Sequence, residues 1–144
     1  MSVEDRIPPL KLLEESLRGG TPVPPDFTKK LRESARKGET VLLAAYLGEK
    51  GEKGENVVGV LVLAYRLNIA AGGCFASIEE LHVSPEARSQ GVGRALLNAA
   101  AEHWSTHGVS YVEVQAEGEA AGFYAALGYE REEGVEVLSR SYPL

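Results

Sequence analysis

The stretch that most restricts what this chain can fold into is Ser77 to Leu97, S-I-E-E-L-H-V-S-P-E-A-R-S-Q-G-V-G-R-A-L-L. Ile78 to Val83 alternate apolar with acidic or polar residues, the period of a half-buried strand. Ser84-Pro85-Glu86 carries turn chemistry, because proline fixes its own φ and removes a donor. Arg88 to Arg94 then runs into Ala95-Leu96-Leu97, where an apolar helical repeat begins. A strand that ends in a glycine-bearing turn and opens a helix leaves backbone N–H groups free at the helix start. Those groups and the helix dipole favour a phosphate. The stretch predicts a pyrophosphate cradle, set against the plainer reading of a glycine turn before an ordinary helix.

Glycine spacing narrows the phosphate. A dinucleotide fingerprint needs G-x-G-x-x-G, but Leu96 stands where the third glycine belongs; a P-loop needs Lys and Ser or Thr after its second glycine, but Arg94-Ala95 follows. What remains is R-x-x-G-x-G, formed by Arg88, Gly91 and Gly93.

Composition excludes several other classes. A chain of 144 residues fits one domain, 1–144. Its net charge of −6 argues against a nucleic-acid binder and is compatible with a cationic substrate. Apolar runs are too short to span a bilayer, no clustered Cys/His set suggests zinc, and the N-terminus lacks a signal-peptide shape. The single cysteine, Cys74, precludes an internal disulfide. These features predict a cytoplasmic protein without membrane or nucleic-acid partners.

Along the chain, Pro9–Arg18 places Leu10, Leu13 and Leu17 on one helical face, stopped by Gly19-Gly20. After a proline-rich break, Asp26 is the expected N-cap of a second helix closed by Gly38. No strand is evident before Pro8. Thr40–Leu47 and Val57–Leu67 are strand runs around a glycine-rich hairpin loop, Gly48–Asn56; the second run is apolar enough for burial on both faces. A third strand leads through Cys74 and Phe75 to Val83. After the loop, Val92, Leu96, Ala99, Ala100 and His103 recur at helical spacing as far as His107, and Val109–Ala116 is the next strand, completing a βαβ unit. A short helix at Glu119–Leu127 and a last strand at Val135–Tyr142 close the chain. The class is α/β of the α+β type: a mixed, mostly antiparallel sheet with one parallel βαβ unit, flanked by helices.

R-x-x-G-x-G resembles the acetyl-CoA loop of the GNAT superfamily of N-acetyltransferases, usually Q/R-x-x-G-x-G/A. Val112 to Tyr129, V-E-V-Q-A-E-G-E-A-A-G-F-Y-A-A-L-G-Y, looks like that superfamily's second long signature, with Ala120, Phe123, Tyr124, Gly128 and Tyr129 matching. The two signatures occur in the family's order. Within it, I-E-E-L-H-V-S-P-E-A-R resembles diamine and related small-amine acetyltransferases. Glu117 departs from the pattern, standing where an asparagine often contacts the pantetheine arm.

The resemblance implies acetyl-CoA as acyl donor and a small-molecule amine as acceptor, attacked directly in a ternary complex. The pyrophosphate would meet Arg88, Ser89, Gln90, Gly91, Val92, Gly93, Arg94 and Ala95. The pantetheine arm would lie along Leu81, His82 and Val83, where paired strands splay apart in the family, bordered by Glu117 and Phe123. A backbone N–H near Val83 would polarise the thioester. Amine deprotonation falls to Glu79, which matches the catalytic glutamate of diamine-type enzymes, or to Glu80 or His82; strict alternation would send Glu79 and Glu80 to opposite faces. Tyr124 lies where the family places the acid that protonates the departing thiolate. A homodimer through Val135–Tyr142 is a further expectation. Two readings stay beside this one: an acyl-CoA-binding regulatory module without turnover, and an acetyltransferase acting on a protein N-terminus or lysine.

Overall fold

The computed structural model describes residues 1–48 and 56–143. Residues 49–55, the body of the expected Gly48–Asn56 loop, lie outside them. The chain forms two compact units, Met1–Val114 and Gln115–Leu144.

The first unit runs β1 (Ser2–Asp5), α1 (Lys11–Arg18), α2 (Pro25–Arg36), β2 (Thr40–Leu47), β3 (Asn56–Asn68), β4 (Gly73–Val83), a 3₁₀ turn (Pro85–Ala87), α3 (Val92–Thr106) and β5 (Val109–Val114). The sheet order is β1-β2-β3-β4-β5, antiparallel except for the parallel β4–β5 pair. This is the mixed α+β arrangement expected from the strand–helix–strand pattern. β3 occupies the middle, which explains its unbroken apolar run. Val60, Leu61 and Leu63 are all completely buried, so both faces of the strand are covered.

Gly59 sets how closely α3 approaches the sheet. A Cβ at this position would lie 2.8 Å from Val92 Cγ1 and 3.0 Å from Leu96 Cδ1, so only glycine lets the first turn of α3 rest directly on β3. The face of β3 that carries Gly59, Leu61 and Leu63 is therefore the α3 face. α1 packs on β3 and β4, and α2 on β2.

Three expectations are corrected. A strand does precede Pro8: Ser2–Asp5 pairs antiparallel with β2, Val3 opposite Ala45. Its sequence, S-V-E-D, has no apolar run because it is an edge strand, held by pairing and carrying charge. Asp26 is not the cap of α2: Pro24 holds the extended N-cap position and Pro25 opens the helix, where a missing N–H is harmless, leaving Asp26 in the first turn to act on the dipole.

The third correction falls in the second unit. Its only regular element among the described residues is α4 (Ala120–Ala126). Val135–Tyr142 forms no strand, and Val135, Val137, Leu138 and Tyr142 are exposed. Alternation alone does not make a strand where no neighbouring strand pairs with it.

Candidate active site

β4 changes character at Ile78. Up to that residue it is paired on both sides, the β5 ladder ending at Ile78 opposite Val114. From Glu80 to Val83 the β3 side remains paired, whereas the β5 ladder offers no partner. The backbone on that side is an open edge.

The direction of each open group follows from one bond. Ser84 N–H donates to the Val58 carbonyl at 2.8 Å, so Ser84 is a hydrogen-bonded position of the β3–β4 ladder. Antiparallel ladders alternate, so His82 also turns its backbone toward β3, and Val83 and Leu81 turn theirs to the open edge. Of the three residues expected to hold an extended arm, two therefore present main-chain groups there. The Arg88 guanidinium agrees with this assignment, its Nε donating to the Val83 carbonyl at 3.3 Å.

A β-bulge sits at the same change. The β3 register passes from Val62 opposite Glu80 to Leu63 opposite Ile78, leaving Glu79 as an inserted residue. Ile78 and Leu81 face Leu63 and Leu61, so both lie on the α3 face although they are three residues apart. Regular alternation forbids that, so strict alternation no longer assigns the faces of Glu79 and Glu80 across the bulge. Glu80 and His82, opposite Val62 and Val60, occupy the other face, and His82 Nε2 lies 2.8 Å from Glu80 Oε2. With Glu80 ionised, Nε2 carries the hydrogen of that bond and Nδ1 is the acceptor of the neutral ring. Glu79 is exposed.

Beyond Val83 the chain turns sharply. Buried Ser84 accepts a 3.0 Å hydrogen bond from Ala87 N–H, closing the 3₁₀ turn, and Gln90 Nε2 donates to the Glu86 carbonyl at 3.1 Å. Ser89 has φ +66°, the one non-glycine residue with positive φ among the described residues, and Gly91 follows at +79°. A left-handed serine is disfavoured by roughly 1 kcal/mol or more, a local strain of the kind found at ligand loops. Neither Ser84 as the pivot nor the strain at Ser89 is legible in the sequence beyond the Ser-Pro dipeptide.

α3 then begins without a side-chain cap and without a carboxylate in its first turn. α2, by contrast, carries Asp26 there. Ala95 N–H makes the first helical bond, to the Gly91 carbonyl at 3.0 Å, so within the expected run Ala95 has its donor engaged. Val92, Gly93 and Arg94 keep theirs free of helical partners. Arg94 has no ion pair among the described residues and adds a full charge to the positive end of the dipole. The result is a concentration of donors and positive charge, anchored through Val92 and Leu96 beside Gly59, the residue opposite Val83.

In the second unit, Tyr124 is buried and packs edge-on against Phe123 and Tyr129, with ring centroids 5.2 and 5.4 Å away. The Tyr124 carbonyl accepts from Tyr129 N–H at 3.1 Å, and burial pushes the Tyr129 phenol above its ordinary range. Glu117 precedes α4, its carbonyl accepting from Ala120 N–H at 3.1 Å, and Phe123 is partly exposed.

Residues 40–131, well over half of the chain, match the family described as the acetyltransferase (GNAT) domain. No curated protein matches. Among solved structures, a probable acetyltransferase superposes with a TM-score of 0.79 at 18% identity, covering 99% of both chains. An acetyltransferase of Trypanosoma brucei gives 0.76 at 20%, covering 96% of this chain and 100% of its own. An aminoglycoside acetyltransferase from an uncultured soil metagenome, in complex with trehalose, gives 0.75 at 22%, covering 94% and 85%. At such identities the likeness is one of fold.

Proposed function

The chain belongs to the GNAT acetyltransferase family, and from that premise we propose that it transfers an acetyl group from acetyl-CoA to a small primary amine, by direct attack within a ternary complex. The observation that carries this reading is the open edge of β4 beside an uncapped, carboxylate-free helix start. A pantetheine arm adds to such an edge as an extra strand would, through Leu81 and Val83. The pyrophosphate of the same molecule then falls to the donors of Val92 to Arg94, with Arg88 and Arg94 supplying charge.

Val83 N–H is the donor we assign to the thioester carbonyl, where negative charge develops as the amine attacks. The amine arrives protonated and must lose a proton first. The family resemblance assigns that task to Glu79, at the bulge. A second route is favoured by one distance, the 2.8 Å Glu80–His82 contact, which orients the imidazole with Nδ1 as acceptor. Glu79→Gln and His82→Gln separate the two, since loss of the true base lowers kcat by about 10²-fold or more. Tyr124 is assigned to protonate the departing thiolate. Small-molecule acceptors agree with the net charge of −6 and with the aminoglycoside acetyltransferase among the structural neighbours.

The test is free-thiol release from acetyl-CoA across a panel of diamines, aminoglycosides and amine-terminal peptides. Release with a small amine is expected; acetyl-CoA binding with no release for any acceptor would leave only the regulatory module. Tyr124→Phe should lower turnover about tenfold or more with cofactor affinity retained. Unchanged turnover removes Tyr124 from the mechanism.

A further inference from the structure

At the other end of α3 lies a cavity of about 410 Å³ whose charge opposes that of the chain. Arg6, Arg32, Arg36, His103 and His107 line it, with Asp5 the sole lining carboxylate, in a protein of net charge −6. Asp5 is already engaged, its Oδ2 2.7 Å from His103 Nε2. Arg36 meets Glu33 through one exposed 3.4 Å contact, a pairing of little strength. Arg32, one helical turn earlier, has no ion pair among the described residues. The i, i+4 spacing places Arg32 and Arg36 on one face of α2.

The groups around the cavity are also held in place. His107 Nδ1 donates to the His103 carbonyl at 2.7 Å, and its ring stacks on Tyr65 with centroids 4.7 Å apart. The Arg6 guanidinium lies 4.6 Å over the Tyr46 ring. Val41 and Leu42 add an apolar wall. Guanidinium donors beside apolar surface suit a ligand with a multiply charged anionic head, which guanidinium forks bind bidentately. The volume falls within the range of small-molecule sites.

We propose that this cavity is a second binding site, taking a small organic anion that carries a phosphate monoester or clustered carboxylates. It is separate from the α3 start: a helix of 15 residues holds its ends roughly 22 Å apart. Arg6 Nε is paired with Glu4 Oε2 at 3.2 Å, but Arg32 and the weakly paired Arg36 repel a cationic amine, so this cavity is not the acceptor pocket. The inference stands independently of the acetyl-transfer reading.

Calorimetric titration of the full chain with citrate and with inorganic phosphate tests it, the two probes distinguishing carboxylate from phosphate recognition. One-to-one binding of at least one probe is expected. Arg32→Gln/Arg36→Gln should weaken it about tenfold or more, from the loss of charge-assisted hydrogen bonds, whereas Arg88→Gln/Arg94→Gln should leave it unchanged. In the unmodified chain the bound probe should shift the His107 ring resonances. Arg32→Lys, which keeps the charge and helix propensity but not the fork, should weaken binding severalfold even if the double variant fails to fold. Three results overturn the proposal: no binding of either probe, undiminished affinity in the α2 variants, or loss of binding in the loop variant.

Discussion

The two halves of β4 belong to one continuous strand and differ in how they are paired. Cys74 to Ile78 is paired on both sides, and Ala76 and Ile78 are buried. Glu80 to Val83 is paired on one side only, and none of its side chains is fully buried. In the first half every backbone group has a ladder in which to be satisfied, so its contribution is stability. In the second half alternate N–H and C=O groups are held rigid by β3 and still left for something else to satisfy. A reserved edge on a rigid strand gives a ligand fixed donors without the entropy of ordering a loop.

The comparison is broken most severely by Val83→Pro. Proline removes the Val83 N–H, which faces the open edge, so no β3–β4 hydrogen bond is lost and an unpaired edge tolerates the residue. Acetyl transfer should fall about 100-fold or more, the effect of losing one donor to a developing oxyanion, with the thermal midpoint little changed. Steady-state thiol release beside a melting curve reads both. Normal turnover in a folded variant would mean that the open edge serves no chemistry.

Ile78→Val probes the closed half. Removing one buried methylene should cost about 1 kcal/mol of stability, and kcat per folded molecule should not move. Denaturant midpoints and kcat measured on the same preparation check this. A fall in kcat comparable to that of Val83→Pro would merge the two halves into one functional strand.

How much of this division was legible in the residues depends on where the information lay. β2 was recovered at its observed bounds because V-L-L-A-A-Y-L after Thr40 is apolar and the strand is interior to the sheet. The turn before α3 was recovered because glycine spacing is a backbone requirement written directly into side-chain identity, and Gly91 does adopt positive φ. The bulge at Glu79 was not, since I-E-E-L-H-V alternates well enough to pass for a regular strand; the insertion exists only in the register against β3. β1 was hidden for the same reason: its four residues become a strand by pairing with Tyr46 to Leu43. Val135–Tyr142 failed in the opposite direction, having a strand's composition without a neighbouring strand. Propensity is local, whereas pairing is tertiary. The Glu80–His82 contact was foreseeable as a shared face, but its 2.8 Å distance was not.

The smallest expected effect is electrostatic and lies on β3, opposite the closed half. Tyr65, opposite Ala76, has a buried hydroxyl without a hydrogen-bond partner among the described residues, and its phenol is raised above the ordinary 10.0, first by burial and then by the neighbouring Cys74 and Asp5 charges. The folded state therefore holds this proton more tightly than the unfolded chain. The stability linked to it is fully present below pH 10 and drains away as pH rises through the folded value. Tyr129, also raised by burial, acts in the same direction. Tyr65→Phe should leave stability at pH 7 within about 1 kcal/mol, because a buried hydroxyl without a partner among the described residues contributes little, and should flatten the loss as pH rises above 10 without abolishing it. Urea midpoints across that window measure the slope. An unchanged slope would mean that Tyr65 ionises as freely in the folded chain as in the unfolded one, and that β3 is open to water at this position.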